Sequence, residues 1–365
     1  MKPVYFFTGF PGFIANQLIK GILEKYKDFD RFYLLVLPNM VERTKKDVSE
    51  WSKAYSLPKE SFRIVIGDIT KDGLGIERGL DKEIEESVTH VFHLAAIYDL
   101  AVPRDLAWKV NVEGTRNVNQ WVQRIKNLKR YTYFSTAYIA GTRTGILKED
   151  ELVRPPAFKN HYEETKYEAE VLVEELKGKV PLTIIRPGIV KGHSKTGETV
   201  KFDGPYMFLN MIDRLKKSPV FPKIGDPKAV VNLVPIDFIV DAVLYVSHDE
   251  AGEGKTYHMT DPNPYSVETI YSLFVSEMLG KTTKGRIPLF LLCFLLSLSS
   301  VRKGLRIERE ALDYLTWRGR FDSTQAQKDL EKAGIRCPDF KDQVPSMIRF
   351  YKEHKNEERY HIKIR

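Results

Sequence analysis

The sequence predicts an α/β protein: a doubly wound parallel sheet followed by a smaller, mostly helical C-terminal region. Two observations predict it. Short, continuous apolar runs alternate with amphipathic stretches through the first half of the 365 residues, the pattern of strands covered on both faces by crossover helices. The first run leads directly into two glycines three residues apart and then a helix-period stretch, the place where such sheets take a ligand. The composition, 42% hydrophobic and 29% charged, is that of a globular chain with enough length for one large domain or two modest ones, and it excludes disorder.

Taken in order, the expected strands are 4–7, 32–37, 63–66, 90–93, 131–134 and 182–185, with helices over 14–26, 115–125 and 162–176 between them. The pattern changes after Arg186-Pro187-Gly188. Gly, Pro and Lys thicken through 191–227, then 232–246 reads as strand, turn and helix, 256–260 as a late strand, and 265–365 as mostly helical. The expected division is a nucleotide-binding domain of 1–190 plus 232–260, and a smaller substrate-side region of 191–231 and 261–365 over the carboxyl edge of the sheet. No internal repeat is visible.

The opening residues mimic a secretory signal, but the apolar stretch is too short and no small-residue cleavage pattern follows. Cys293 and Cys337 make neither a disulfide framework nor a metal site and fit a reducing compartment, so the cytoplasm is the expected location and no metal is expected. A net charge of +8 favours anionic ligands; no nucleic-acid-binding motif is present.

Thr8-Gly9-Phe10-Pro11-Gly12-Phe13-Ile14-Ala15 sits between strand and helix, as a Rossmann-type dinucleotide loop does. Gly9 allows the tight turn, Gly12 lets backbone N–H groups approach a pyrophosphate at the helix N-terminus, and Ala15 is small where helix meets strand. The second strand ends Leu37-Pro38-Asn39 without the acid that commonly binds an NAD ribose, and Arg43, Lys45 and Lys46 follow. This favours the 2′-phosphate of NADP over NAD; the competing reading is a solvated cationic helix face. Asp68, after the third strand, suits the adenine amino group or a turn cap.

Tyr162 and Lys166 stand one helical turn apart. A neighbouring cation lowers a phenol's pKa from about 10, so that it can exchange a proton with a carbonyl while a nicotinamide exchanges hydride. Ser135-Thr136 ends a strand, where a hydroxyl can orient and polarise that carbonyl. The plain alternatives are an exposed charged helix and an ordinary cap.

These pieces occur in order with Asp68-Ile69, His93-Leu94-Ala95-Ala96, Asn111-Val112-x-Gly114-Thr115 and Arg186-Pro187-Gly188-Ile189-Val190-x-Gly192. The set resembles the extended short-chain dehydrogenase/reductase superfamily over residues 1 to about 245. Phe134-Ser-Thr-Ala-Tyr138, Asn160-x-Tyr-x-x-Thr-Lys-x-x-Ala-Glu170 and the stretch from Asn232 to Ala242 resemble its fatty acyl-CoA reductase, thioester reductase and male sterility branch.

The resemblance implies roles for particular residues. Thr136, with Ser135 ranked second, is the catalytic hydroxyl, and Tyr162 is the general acid. Lys166 binds the nicotinamide ribose and lowers the Tyr162 pKa, while Asn111 braces the site. It further implies that Ile69 sits beside Asp68 at the adenine, that Leu94, Ala95 and Ala96 pass beside the cofactor, and that Pro187, Gly188, Ile189 and Val190 wall the nicotinamide. His93 reads as a packed core residue. Leu37 departs from the Val-Arg with which this branch often ends the second strand, which leaves the NADP assignment on Arg43.

The implied activity is NADP(H)-dependent reduction of a carbonyl or thioester, such as a fatty-acyl or carrier-bound chain. The alternative is a sugar-nucleotide epimerase or dehydratase with tightly bound NAD. A non-enzymatic nucleotide sensor or scaffold is a third reading, against which Tyr162 and Lys166 are both present. Residues 281–309 carry seven Lys or Arg against one Glu around the apolar run 287–298, which is too short to span a bilayer. A membrane-surface contact, a lid over an acyl tunnel and a buried helix all fit it. The expected partners are therefore a small-molecule or acyl-thioester substrate, CoA or a carrier protein, a peripheral membrane contact and a second copy of the chain, with no nucleic acid.

Overall fold

The protein is described by a computed structural model over residues 2–99, 101–307 and 309–362. Its main sheet has seven strands: β1 (Val4–Thr8), β2 (Arg31–Val36), β3 (Phe62–Ile66), β4 (His90–His93), β5 (Arg130–Phe134), β6 (Leu182–Pro187) and β7 (Lys255–Met259). They lie in the order β7-β6-β5-β4-β1-β2-β3, every neighbouring pair parallel. The six strands expected in the first half and the late strand 256–260 are these seven, with ends displaced by at most two residues. The order reverses between β1 and β4, which opens a crevice at their carboxyl ends.

Successive strand residues face opposite ways, and β1 divides its aromatics accordingly. Tyr5 and Phe7 join a core with helix α1 (Phe13–Lys25) and helices Val41–Ala54 and Ile236–His248. Phe6 joins the other face, beneath Arg78–Ser87, Gly114–Val122 and α2 (His161–Glu174). β1, β5 and β6 are buried at every residue, which accounts for their largely apolar runs, and the polar residues within β5 and β6 are paired, as Arg130 is with Thr183.

A third core gathers Tyr206–Arg214, Val267–Leu279 and Phe340–His354, together with Leu292 and Leu296 from α3 (Leu289–Ser297). Helix Thr324–Glu331, from the same late part of the chain, instead packs on the sheet through Ala326 and Leu330. Glu149 holds it there, accepting from the backbone N–H groups of Gln325 (2.7 Å), Ala326 (3.2 Å) and His258 (2.9 Å).

Candidate active site

The glycine loop fills the turn between β1 and α1. Gly9 has φ +82°, and a Cβ there would lie 2.6 Å from the Ala95 N and 2.7 Å from the Leu94 carbonyl carbon. A Cβ on Gly12 would lie 2.6 Å from the Gly9 oxygen. The loop is therefore pressed against the chain leaving β4, with no room for side chains. Gly12 is the N-cap of α1, no side chain caps that end, and the first turn carries no acid. Such a terminus receives anionic groups. The residues present thus fit a dinucleotide pyrophosphate.

Beside the loop, Thr8 Oγ1 accepts from the Ala95 N–H at 3.1 Å and pairs with His93 Nδ1 at 2.7 Å; His93 Nε2 meets Thr115 at 3.1 Å. Burial pushes the His93 pKa down to about 3, so the ring is a neutral packing element.

A cleft of about 1800 Å³ runs from this loop along the carboxyl edge of the sheet. Gly9 to Ile14 line one end, with Asp68, Ile69, Arg43 and the exposed Leu37. Lys45 and Lys46 are not on its wall, and Lys45 pairs with Glu42 at 2.8 Å. Asp68 Oδ1 accepts from both the N–H and the hydroxyl of Thr70, the turn-cap role, while the residue still borders the cleft. Leu94, Ala95 and Ala96 form the floor, and Pro187 to Val190 the far wall.

Thr136, Tyr162 and Lys166 all line the cleft. Asn160 starts α2, its Oδ1 accepting from the Glu163 N–H at 2.9 Å, and the helix carries Tyr162 and Lys166 on one face. The Tyr162 phenol is hydrogen-bonded with the Thr136 hydroxyl, and desolvation raises its pKa well above the ordinary tyrosine value. Thr136 Oγ1 also caps its own turn, accepting from the Tyr138 N–H at 3.2 Å. The Ser135 hydroxyl donates instead to Glu170, which accepts from Arg186 Nε at 2.7 Å and Nη2 at 2.5 Å. That buried network ties β5 and β6 to α2 behind the site.

Lys166 differs from expectation. Its ammonium donates to the Tyr133 hydroxyl at 2.9 Å and the Phe134 carbonyl at 2.5 Å, and burial pulls its own pKa down to about 7. The lowering of the Tyr162 pKa expected from Lys166 is absent in this arrangement, because burial dominates both groups. Asn111 is off the cleft wall. Its Oδ1 accepts from the Ile97 N–H at 2.8 Å and its Nδ2 donates to Thr165 at 3.0 Å, so it fastens the chain after β4 to α2 between Tyr162 and Lys166.

Three residues here escaped the sequence reading. Glu163 is fully buried beside Tyr162 and accepts from the Tyr314 hydroxyl at 2.8 Å and from Lys159 Nζ at 3.3 Å. Lys159 to Glu163 is a visible i, i+4 pair, but nothing in the sequence links it to Tyr314, 151 positions away. The cleft wall also has an apolar stretch, with Met207, Phe208, Met211, Leu292, Leu296 and Ile307, while Asp203, Arg302, Arg309 and His361 line it too.

The male sterility protein family model, an NAD-binding domain, matches residues 7–243. A non-canonical nonribosomal peptide synthetase of Aspergillus campestris is 28% identical over 272 residues, covering 70% of this chain and 25% of that protein. A putative fatty acyl-CoA reductase of Drosophila melanogaster is 26% identical over 305 residues, covering 70% of this chain and 58% of that one. The chain thus spans well under two thirds of these curated relatives. Among solved structures, the terminal R domain of the myxalamid PKS-NRPS pathway superposes with a TM-score of 0.80 at 24% identity, covering 97% of this chain and 91% of that one. A UDP-glucuronic acid 4-epimerase of Bacillus cereus bound to NAD reaches 0.63 at 16% identity, covering 97% of this chain and 98% of that one.

Proposed function

The chain belongs to the male sterility NAD-binding family of extended short-chain reductases, and from that premise we propose that it reduces an acyl thioester with NADPH. One observation carries the reading. The cleft that holds the glycine loop and the Thr136–Tyr162 pair is also walled by Met207, Phe208, Met211, Leu292, Leu296 and Ile307, an apolar stretch suited to an acyl chain. Arg43 on the wall and Leu37 in place of an acid support NADP over NAD. The relatives, a putative fatty acyl-CoA reductase and a nonribosomal peptide synthetase, support a thioester carried on CoA or on a carrier protein.

A bound nicotinamide dinucleotide supplies the hydride. Gly9 and Gly12 leave room for its pyrophosphate, and Arg43 takes the 2′-phosphate. Lys166 exchanges its contacts with Tyr133 and Phe134 for the ribose hydroxyls. Thr136 and Tyr162 hold the thioester oxygen, and the Tyr162 phenol, kept protonated by desolvation, gives its proton as negative charge develops there. The resulting hemithioacetal breaks its C–S bond, releasing the thiol and an aldehyde. The apolar stretch of the wall holds the chain.

The test is NADPH oxidation by the purified chain against acyl-CoAs of increasing length, aldehydes and sugar nucleotides, repeated with NADH. Long-chain acyl-CoA turnover with preference for NADPH is expected. Conversion of a sugar nucleotide without net cofactor oxidation would place the chain with the epimerases instead.

A further inference from the structure

We propose that α3 seats the protein on an anionic lipid surface. Its first eight residues carry no polar side chain except a thiol. One side of the helix belongs to the protein: Leu292 and Leu296 are buried and line the cleft. The opposite side is exposed among the described residues. Phe290 is 77% exposed and Phe294, one turn on, 61%; Leu291 and Leu298 are also exposed. These two are the only phenylalanines among the exposed large hydrophobic residues of the described chain. Isolated exposed apolar residues need no explanation, but three on one short helix, with Leu298 directly after it, do.

The surroundings indicate what covers them. Lys284 lies in the strand before α3, Lys303 in helix Ser299–Leu305 after it, and both are exposed. Residues 281–309 hold seven Lys or Arg and one Glu, and of these cations Arg286 is paired with Glu268 and Arg306 with Glu358. An apolar face framed by cations and without hydrogen-bonding groups complements an anionic bilayer interface, where aromatic and aliphatic side chains enter the acyl boundary and lysines meet headgroups. A second copy of the chain would bring the same cations against these. At nine residues α3 is about 13 Å long, far short of the bilayer core, so it lies in the interface plane. Among the described residues no helix is long and apolar enough to cross a membrane. Because its inner side walls the cleft, α3 places the cleft's apolar stretch beside the lipid. The seating itself does not depend on the reductase reading.

The test is co-sedimentation of the full chain with vesicles of phosphatidylcholine alone and of phosphatidylcholine with phosphatidylserine. Binding to the anionic vesicles, weakened by salt, is expected. Phe290→Asp with Phe294→Asp should weaken it at least about tenfold at an unchanged thermal midpoint, since both side chains are in solvent. If that pair fails to fold, Lys284→Glu with Lys303→Glu should produce the same loss. Wild-type protein left in the supernatant, variants that bind undiminished, or self-association in sedimentation velocity that the Phe pair abolishes would each overturn the proposal.

Discussion

Desolvation keeps the Tyr162 phenol protonated, as the proposed reduction requires of a proton donor, while the raised pKa also makes it a weaker acid. Its ring also packs edge-on against Tyr98 at 5.1 Å, a contact that phenylalanine preserves. Tyr162→Phe should therefore lower kcat by about 10²- to 10⁴-fold, while the Kd for NADPH, read by fluorescence titration, stays within about twofold. Unchanged turnover would remove Tyr162 from the chemistry. The Tyr-x-x-x-Lys spacing made this helix face legible in the sequence, as the glycine pair did the loop. The destination of the Lys166 ammonium was not legible. Tyr133 lies 33 positions away on β5, and only the packing of α2 over that strand brings them together. The competition between burial and a neighbouring charge also needs the fold, because burial depends on residues from every layer.

At the scale of elements, α2 is held by contacts from distant parts of the chain. Asn111 fixes its start to the chain after β4, Glu170 fixes its end to β6 through Arg186, and the Glu163–Tyr314 bond fixes it to segment Arg309–Leu315. Tyr314→Phe takes a donor from a buried carboxylate, a loss of about 1–3 kcal/mol. Burial already raises the Glu163 pKa, and losing the hydroxyl raises it further. The ionised form bears the loss, so the fall in unfolding midpoint should be greater at pH 8 than at pH 5. An equal fall at both would separate Tyr314 from the Glu163 charge. The sheet was legible because strands buried on both faces must be largely apolar. The joints were not: Gly145–Leu147 pairs with Gly319–Phe321 across more than 170 positions, in segments of three residues with no periodic signature.

For the whole molecule, buried titratable groups set how stability varies with pH. His90, His93 and His258 are held near a pKa of about 3, chiefly by burial. Between about 3 and 6.5 the unfolded chain takes up protons there that the folded chain refuses. Stability is therefore lost as pH falls through that range, by about 1.4 kcal/mol per unit for each histidine. Glu149, raised to about 7 by burial, acts in the opposite sense between 4.5 and 7, and Glu163, Asp203 and Asp261, also raised by burial, act with it. Above neutrality Lys166, lowered to about 7, and Lys191, lowered to about 8, are neutral in the folded chain while still charged in the unfolded one, so stability rises toward pH 10. The unfolding midpoint should climb from pH 7 to pH 9, and Lys166→Met should remove about half of that rise. A midpoint highest near pH 6 would contradict the assignment. The cost of burying the Lys166 charge is greatest where that charge is most useful, since a protonated lysine is the better partner for an anionic dinucleotide. Cofactor affinity should therefore fall across the range in which the fold gains stability, and the site works on the less stable side of the molecule's own optimum.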